Sequence, residues 1–325
     1  MRNVRSFRFN LMENYKQTAP RYEEMKYRRC GNSGLLLPEI ALGFWHNFGA
    51  DADDLKCLSI VKYAFDHGIT YFDLANNYGP PCGAAEARFG EIFSHSFKRH
   101  RDEMVIATKA GHDMWPGPYG EWGSRKCLMA SINQSLKRLK LDYVDIFYSH
   151  RPDPSTPLEE TMQALVDIVR QGKALYVGLS KYPADMAEKA YSYLREQHVP
   201  CLVYQGRYNM LVRDPEETIL GQAAEAGAGF VAFSPLAQGL LTDRYLNGIP
   251  QGSRMTHSQF LKPEALTPEL LSQLKEWNAQ AAESGLTLAQ YALKWVLRRP
   301  EVTSVIVGAS SVEQLKSNLS VVQLP

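Results

Sequence analysis

The stretch YVDIFYSHRPDPSTPLEETMQALVDIVRQGKALYVGLS, residues 143–180, holds a complete strand–helix–strand unit. Tyr143–His150 and Ala174–Ser180 are nearly continuous apolar runs rather than strict alternations, as in parallel strands covered on both faces. Between them Leu158, Met162, Leu165 and Val169 recur along one stripe of a helix. Thr156-Pro157-Leu158-Glu159 has the form of a capping box with proline at the first helical position, a helix start.

The same alternation extends in both directions. Further strand candidates are Ile40–Trp45, Tyr71–Ala75, Met104–Lys109, Cys201–Gln205, Gly229–Pro235 and Val302–Ala309. Leu128, Ile132, Leu136 and Leu139 mark another helix, and Asp214-Pro215-Glu216-Glu217 and Thr267-Pro268 mark two more helix starts. Eight such units without a break in composition predict a closed (β/α)₈ TIM barrel. The rival doubly wound sheet needs G-x-G-x-x-G after a strand, whereas Gly227-Ala228-Gly229 precedes one. Upstream, Gly31-Asn32-Ser33-Gly34 between two short extended runs predicts an N-terminal β-hairpin. Residues 1–24 are expected to be a disordered leader and 25–325 a single domain; the Arg-rich first ten residues only faintly resemble a targeting segment.

Composition narrows the function classes. The 325 residues are 45% hydrophobic and 22% charged, an ordinary core-forming balance. A net charge of +1, from 36 basic and 35 acidic residues, leaves no field to attract nucleic acid or an anionic membrane. No apolar run approaches the ~20 residues of a spanning helix. The five cysteines, Cys30, Cys57, Cys82, Cys127 and Cys201, are scattered without a C-x-x-C pair, which argues against a disulfide framework or a zinc site. They fit a reducing, cytoplasmic setting. The expected partner is a small molecule, with no metal, and a homo-oligomer stays open.

In a barrel, functional groups sit where strands end at the C-terminal face. Those positions here hold Asp73, Lys109 and His150, with Tyr78 just beyond the second barrel strand. Taken singly, the aspartate reads as a helix cap and the histidine as a core residue. A lysine closing an apolar run is odder, because a buried ammonium demands a counter-charge, which Asp73 could supply. Tyrosine has a pKa of about 10, and a nearby cation lowers it. Lys109 is therefore expected to activate Tyr78 as proton donor to a carbonyl oxygen, which a neutral His150 would orient. This is the constellation of a carbonyl reductase whose hydride comes from a cofactor.

An anion site is also legible. Gly308-Ala309-Ser310-Ser311 leads from the last strand into a helical stretch bearing Gln314 and Asn318, and glycine with hydroxyls at a helix start suits an anion. Simple helix capping is the bland alternative. Ser234-Pro235-Leu236 ends the seventh strand, and a long loop follows with Arg244 and Arg254. Trp45, His46, Trp115 and Tyr119 form an aromatic set suited to a small apolar-walled mouth. Arg125 and Lys126 follow, read either as phosphate contacts or as a solvated helix start.

From about Met25 to Asn318 the chain resembles the aldo-keto reductase superfamily. The motifs are Phe72-Asp73-Leu74-Ala75-Asn76-Asn77-Tyr78-Gly79, Ala107-Thr108-Lys109, Asp145-Ile146-Phe147-Tyr148-Ser149-His150, Tyr176-Val177-Gly178-Leu179-Ser180, Phe233-Ser234-Pro235-Leu236-Ala237 and Gly308-Ala309-Ser310. The resemblance implies a catalytic tetrad of Asp73, Tyr78, Lys109 and His150, with NADPH as cofactor. It implies that Ser180 and Gln205 bind the carboxamide, that Phe233 packs near the nicotinamide, and that an arginine meets the 2′-phosphate. Trp45, Asp73, Ser234, Leu236, Gly308, Ser310, Gln314 and Asn318 are likewise expected at the cofactor site, and Trp45, His46, Tyr78, Trp115 and His150 at the substrate.

Within the superfamily, Trp45-His46-Asn47-Phe48-Gly49 and Asp113-Met114-Trp115-Pro116-Gly117-Pro118-Tyr119-Gly120 are similar to the bacterial L-glyceraldehyde 3-phosphate reductases. Those enzymes also reduce methylglyoxal. Arg151-Pro152-Asp153-Pro154 is shared with potassium-channel β subunits, which carry asparagine where this chain has His150. The histidine favours a working enzyme over a redox-sensing regulatory subunit. A Schiff-base aldolase using Lys109 is a remoter alternative. Ser317 and Lys181 depart from the family pattern, which has glutamate at the first and asparagine, serine or arginine at the second. The end at Pro325 implies a more open substrate mouth or a truncation.

Overall fold

The computed structural model describes residues 21–257 and 260–323. Two short strands, β1 (Tyr27–Arg29) and β2 (Leu36–Pro38), pair antiparallel as the expected hairpin. Eight parallel strands then close a barrel: β3 (Ile40–Gly43), β4 (Tyr71–Asp73), β5 (Val105–Ala110), β6 (Val144–Ser149), β7 (Ala174–Ser180), β8 (Cys201–Arg207), β9 (Gly229–Phe233) and β10 (Val302–Val307), with β10 pairing back to β3. The (β/α)₈ expectation holds at every strand. Several strands end one or two residues earlier than the apolar runs do, so Trp45, Ala75 and His150 lie in the loops of the C-terminal mouth.

Helices wrap the barrel: α1 (Asp54–Asp66), α2 (Ala84–Ile92), α3 (Arg125–Leu139), α4 (Leu158–Arg170), α5 (Ala184–Glu196) and α6 (Ile219–Glu225). After β9 come α7 (Arg254–His257), α8 (Pro268–Glu283) and α9 (Leu288–Leu297), and α10 (Val312–Leu319) follows β10. Two expected helix starts differ. α4 begins at Leu158 with Pro157 in the cap position, which offers no side-chain acceptor, while Thr156, one residue further out, donates through Oγ1 to Asp153 Oδ2 at 2.6 Å. Asp153 also accepts from the backbone of Gly123, Ser155 and Thr156, which orders the turn ahead of the helix. Asp214–Glu216 forms only a 3₁₀ turn, and α6 starts later, at Ile219. Thr267 does cap α8, accepting from the Leu270 amide at 3.2 Å. No helix among the described residues is long and apolar enough to cross a membrane.

The barrel interior is apolar at its lower end, where Leu37 and Cys30 of the hairpin pack with Ala41, Val105, Ile146, Val203 and Val231. The hairpin thus plugs the N-terminal mouth. Arg28 latches it there: Nε donates to Glu39 Oε1 at 2.8 Å, Nη1 to the Val302 carbonyl at 2.9 Å and Nη2 to the Leu297 carbonyl at 2.9 Å. Those partners flank the first and last barrel strands, so the latch spans the seam where the barrel closes. Of the expected leader, residues 1–20 lie outside the described residues. Arg21 is buried, with its guanidinium 4.0 Å over the Phe65 ring and Nη1 bonded to Glu103 at 2.8 Å.

Arg28→Ala removes the charge-assisted bonds across this seam, each ordinarily worth about 1.5–3 kcal/mol and less where solvent reaches them. Urea unfolding is expected to show a loss of about 2 kcal/mol with an unchanged slope. Wild-type stability would contradict the latch.

Candidate active site

Lys109 lies on β5 with no exposure to solvent. Its Nζ donates to Asp73 Oδ2 at 2.6 Å, to the Leu74 carbonyl at 2.7 Å and to the Tyr78 hydroxyl at 3.5 Å. Asp73, the last residue of β4, accepts at Oδ1 from Tyr71 at 3.2 Å and from Gln205 Nε2 at 2.9 Å. Tyr71 shares a 2.8 Å hydrogen bond with Tyr148. The pair is therefore desolvated but fully bonded, the condition under which a buried ion pair is tolerated.

Tyr78 is fixed by its backbone, whose amide bonds the Ala75 carbonyl and whose carbonyl accepts from Ala85. Its ring meets that of His150 edge-on, with centroids 5.9 Å apart. The four residues selected at the strand ends are thus brought together.

One expectation is corrected. Lys109 does stand beside Tyr78, yet desolvation by the cleft walls, with the Asp73 carboxylate second, holds the phenol well above its ordinary pKa. Tyr78 therefore rests protonated. Burial also pulls Lys109 down, while Asp73 opposes that shift. His150 is held well below its usual value by burial, then by Lys109, Lys181, His112 and Arg151, so it is neutral at pH 7. Its Nδ1 is buried without a partner while the ring lines the cleft. An unpaired buried N–H costs more than an unpaired acceptor, which assigns the proton to Nε2, facing the cleft.

A cleft of about 540 Å³ opens over this group. Its walls include Trp45, Asp73, Tyr78, His150, Gln205, Phe233, Ser234, Leu236, Arg244, Arg254, Gly308 and Gln314. Ser180 and Asn318 are buried beside it, and Ser180 Oγ and Asn318 Nδ2 have no hydrogen-bond partner. Ser310 is bonded through Oγ and its amide to Gln314 Oε1, at 3.0 and 2.8 Å, and Ser311 caps α10. A Cβ on Gly308 would meet only Asn47 Nδ2, at 3.9 Å. Open backbone at Gly308, Gln314 of the first turns of α10 and the arginines Arg244 and Arg254 thus line one cleft.

Two expected substrate residues do not reach the cleft wall. His46 turns aside at φ 67°, with its ring 3.9 Å from that of Trp45. Trp115 is carried away by a loop that closes on itself through a 3.0 Å bond from the Met114 amide to the Gly120 carbonyl. In their place the wall holds Asn47, Asn77, His112, Lys181 and Arg207. Arg207 could have been found by strand period, being two residues beyond Gln205 on the same face. His112 carried no comparable signal.

The family model described as Aldo/keto reductase family matches residues 39–325. L-glyceraldehyde 3-phosphate reductases of Escherichia coli strain K12 and of Escherichia coli O157:H7 are each 52% identical over 305 residues, covering 92% of this chain and 88% of theirs. A probable voltage-gated potassium channel subunit beta of Arabidopsis thaliana is 37% identical over 307 residues, covering 92% of each chain.

Asp73→Asn keeps the shape but leaves the Lys109 ammonium buried without its counter-charge. Breaking a buried pair from one side costs about 3–5 kcal/mol. Chemical denaturation is expected to show a loss of that order; a variant as stable as the parent would mean that the pair is not what holds Lys109.

Proposed function

The chain belongs to the aldo/keto reductase family, and on that premise we propose that it reduces short aldehydes, including methylglyoxal and glyceraldehyde 3-phosphate, to alcohols at the expense of NADPH. The observation that carries this reading is the bonded series Asp73–Lys109–Tyr78 facing a neutral His150 across one cleft.

A nicotinamide cofactor supplies hydride to the carbonyl carbon when bound. The residues present fit such a group: two buried polar atoms, on Ser180 and Asn318, have no partner among the described residues, and Phe233 and Gln205 line the same cleft as Asp73, Tyr78 and His150. Gly308, Ser310 and Gln314 would take the pyrophosphate end, with Trp45, Ser234 and Leu236 walling the site. Arg244 and Arg254 would meet the 2′-phosphate, the feature by which NADPH differs from NADH.

The protein's own part is to position a carbonyl and to deliver a proton. His150 Nε2–H donates to the carbonyl oxygen and orients it. Tyr78 gives its hydroxyl proton to the same oxygen, and the nascent phenolate is stabilised by Lys109 Nζ at 3.5 Å. Asp73 keeps that ammonium charged and aimed. The high resting pKa of Tyr78 suits a donor that must hold its proton until negative charge develops on the substrate. Free, scattered cysteines fit a cytoplasmic enzyme.

Tyr78→Phe keeps the ring and removes the donor. Single-turnover reduction of methylglyoxal should slow by about 10²–10⁴-fold, the usual contribution of general acid catalysis, while NADPH binding by fluorescence barely moves. A wild-type rate in this variant would reassign the acid to water or His150. Wild-type protein that binds NADPH and turns over no aldehyde would instead favour the regulatory-subunit reading.

Cofactor choice gives a separate check. NADPH is expected to bind more tightly than NADH, and Arg254→Ala should narrow the gap by about tenfold, the worth of one charge-assisted contact. Equal dissociation constants for the two cofactors in the wild type would remove this assignment.

A further inference from the structure

The charges facing the cleft are badly out of balance. Among the described residues its walls carry Lys181, Arg207, Arg244 and Arg254 against the single carboxylate of Asp73. That carboxylate is already engaged by Lys109, Tyr71 and Gln205. None of the four cations forms an ion pair with another described residue. Arg244 and Arg254 sit on the segment after β9 and are accounted for by the nucleotide end of the cleft. Lys181 and Arg207 are not: they stand at the mouth of β7 and β8.

Lys181 is tied to the catalytic side. Its Nζ lies 5.7 Å from the centre of the Phe233 ring and donates to His112 Nε2 at 3.4 Å. The His112 ring in turn meets His150 edge-on, with centroids 4.5 Å apart. A cation therefore stands one imidazole away from the residue that orients the carbonyl. Arg207 is paired in register with Phe233 on the neighbouring strand, which brings a second cation to the same side.

Neither cation has a carboxylate partner among the described residues, and both reach solvent at the mouth. Desolvation, then Lys109 and Arg151, pull the Lys181 ammonium down to about 8, and burial with the same class of neighbours takes His112 down to about 4. The side-chain partner of Lys181 is thus a neutral ring that accepts one hydrogen bond and offers no charge. Lys181 also holds a left-handed backbone, φ 62°, which is strained for a residue with a Cβ. Two cations that reach solvent at the mouth of the cleft, with no carboxylate beside them among the described residues, are placed to take an anionic group of a bound ligand.

We propose that Lys181 and His112, with Arg207, form a subsite for the anionic substituent of the substrate, a carboxylate or phosphate joined by a short chain to the carbonyl held at His150. The subsite sets preference for charged over neutral aldehydes. It rests on the aldehyde-reductase reading and adds to it the residues that choose the substrate.

The test compares kcat/KM for butanal, 4-oxobutanoate and L-glyceraldehyde 3-phosphate in wild type, Lys181→Met and Lys181→Arg. Methionine keeps the length and the backbone demand of lysine, and circular dichroism checks that each variant is folded. One charge-assisted contact is worth about ten- to a hundredfold. The ratio of anionic to neutral kcat/KM should fall by that factor in Lys181→Met, mainly through KM, and recover in part in Lys181→Arg. A fall confined to the carboxylate or to the phosphate arm identifies which anion the subsite takes. An unchanged ratio in both arms, with butanal still reduced, overturns the subsite alone. Absence of turnover with all three aldehydes by the wild type overturns the reductase reading, and the subsite with it.

Discussion

An ammonium without solvent exposure, 2.6 Å from a carboxylate inside a parallel barrel, is the constraint around which this molecule is arranged. Such a charge survives only where every donor and acceptor around it is met. Asp73 answers Lys109, Tyr71 and Gln205 answer Asp73, and Tyr148 answers Tyr71. Even a glycine belongs to this order: a Cβ on Gly178 would lie 2.4 Å from the Tyr148 ring, so β7 must be bare there for the tyrosine to stand where it does. Strands β4 to β8 thus contribute either a bonded group or the room for one.

The same desolvation prepares the chemistry. Low polarity favours the uncharged form of each acid and base, so it raises a phenol and lowers an imidazole at once. Two neutral donors, Tyr78 and His150, face a point beside one fixed cation. In the proposed reaction, negative charge developing on a carbonyl oxygen there would meet groups already oriented.

The architecture was legible because burial on both faces leaves an unmistakable mark: continuous apolar runs such as Tyr143–His150 can only be central parallel strands. The pairing of Lys109 with Asp73 was legible too, since a lysine at the end of such a run makes no sense without a partner. What sequence could not supply was competition. Pro157 rather than Thr156 takes the cap position of α4, and burial keeps the Tyr78 phenol raised even with an ammonium beside it. Loop geometry was equally hidden. His46 and Trp115 have the right chemistry for a substrate mouth, but a turned backbone and a self-closed loop keep them out of it, while His112 reaches it.

The hairpin latch has a consequence for how this protein can change over generations. Because Arg28 ties the first and last strands together from below, the closing seam of the barrel is held at the pole opposite the cleft. The upper loops are relieved of that duty and can accept awkward residues, such as a lysine on left-handed backbone, without unravelling the scaffold. Robustness at one pole is what makes innovation at the other affordable, so a lineage built this way can acquire new substrates by drift in a handful of loop positions while its inherited frame stays put.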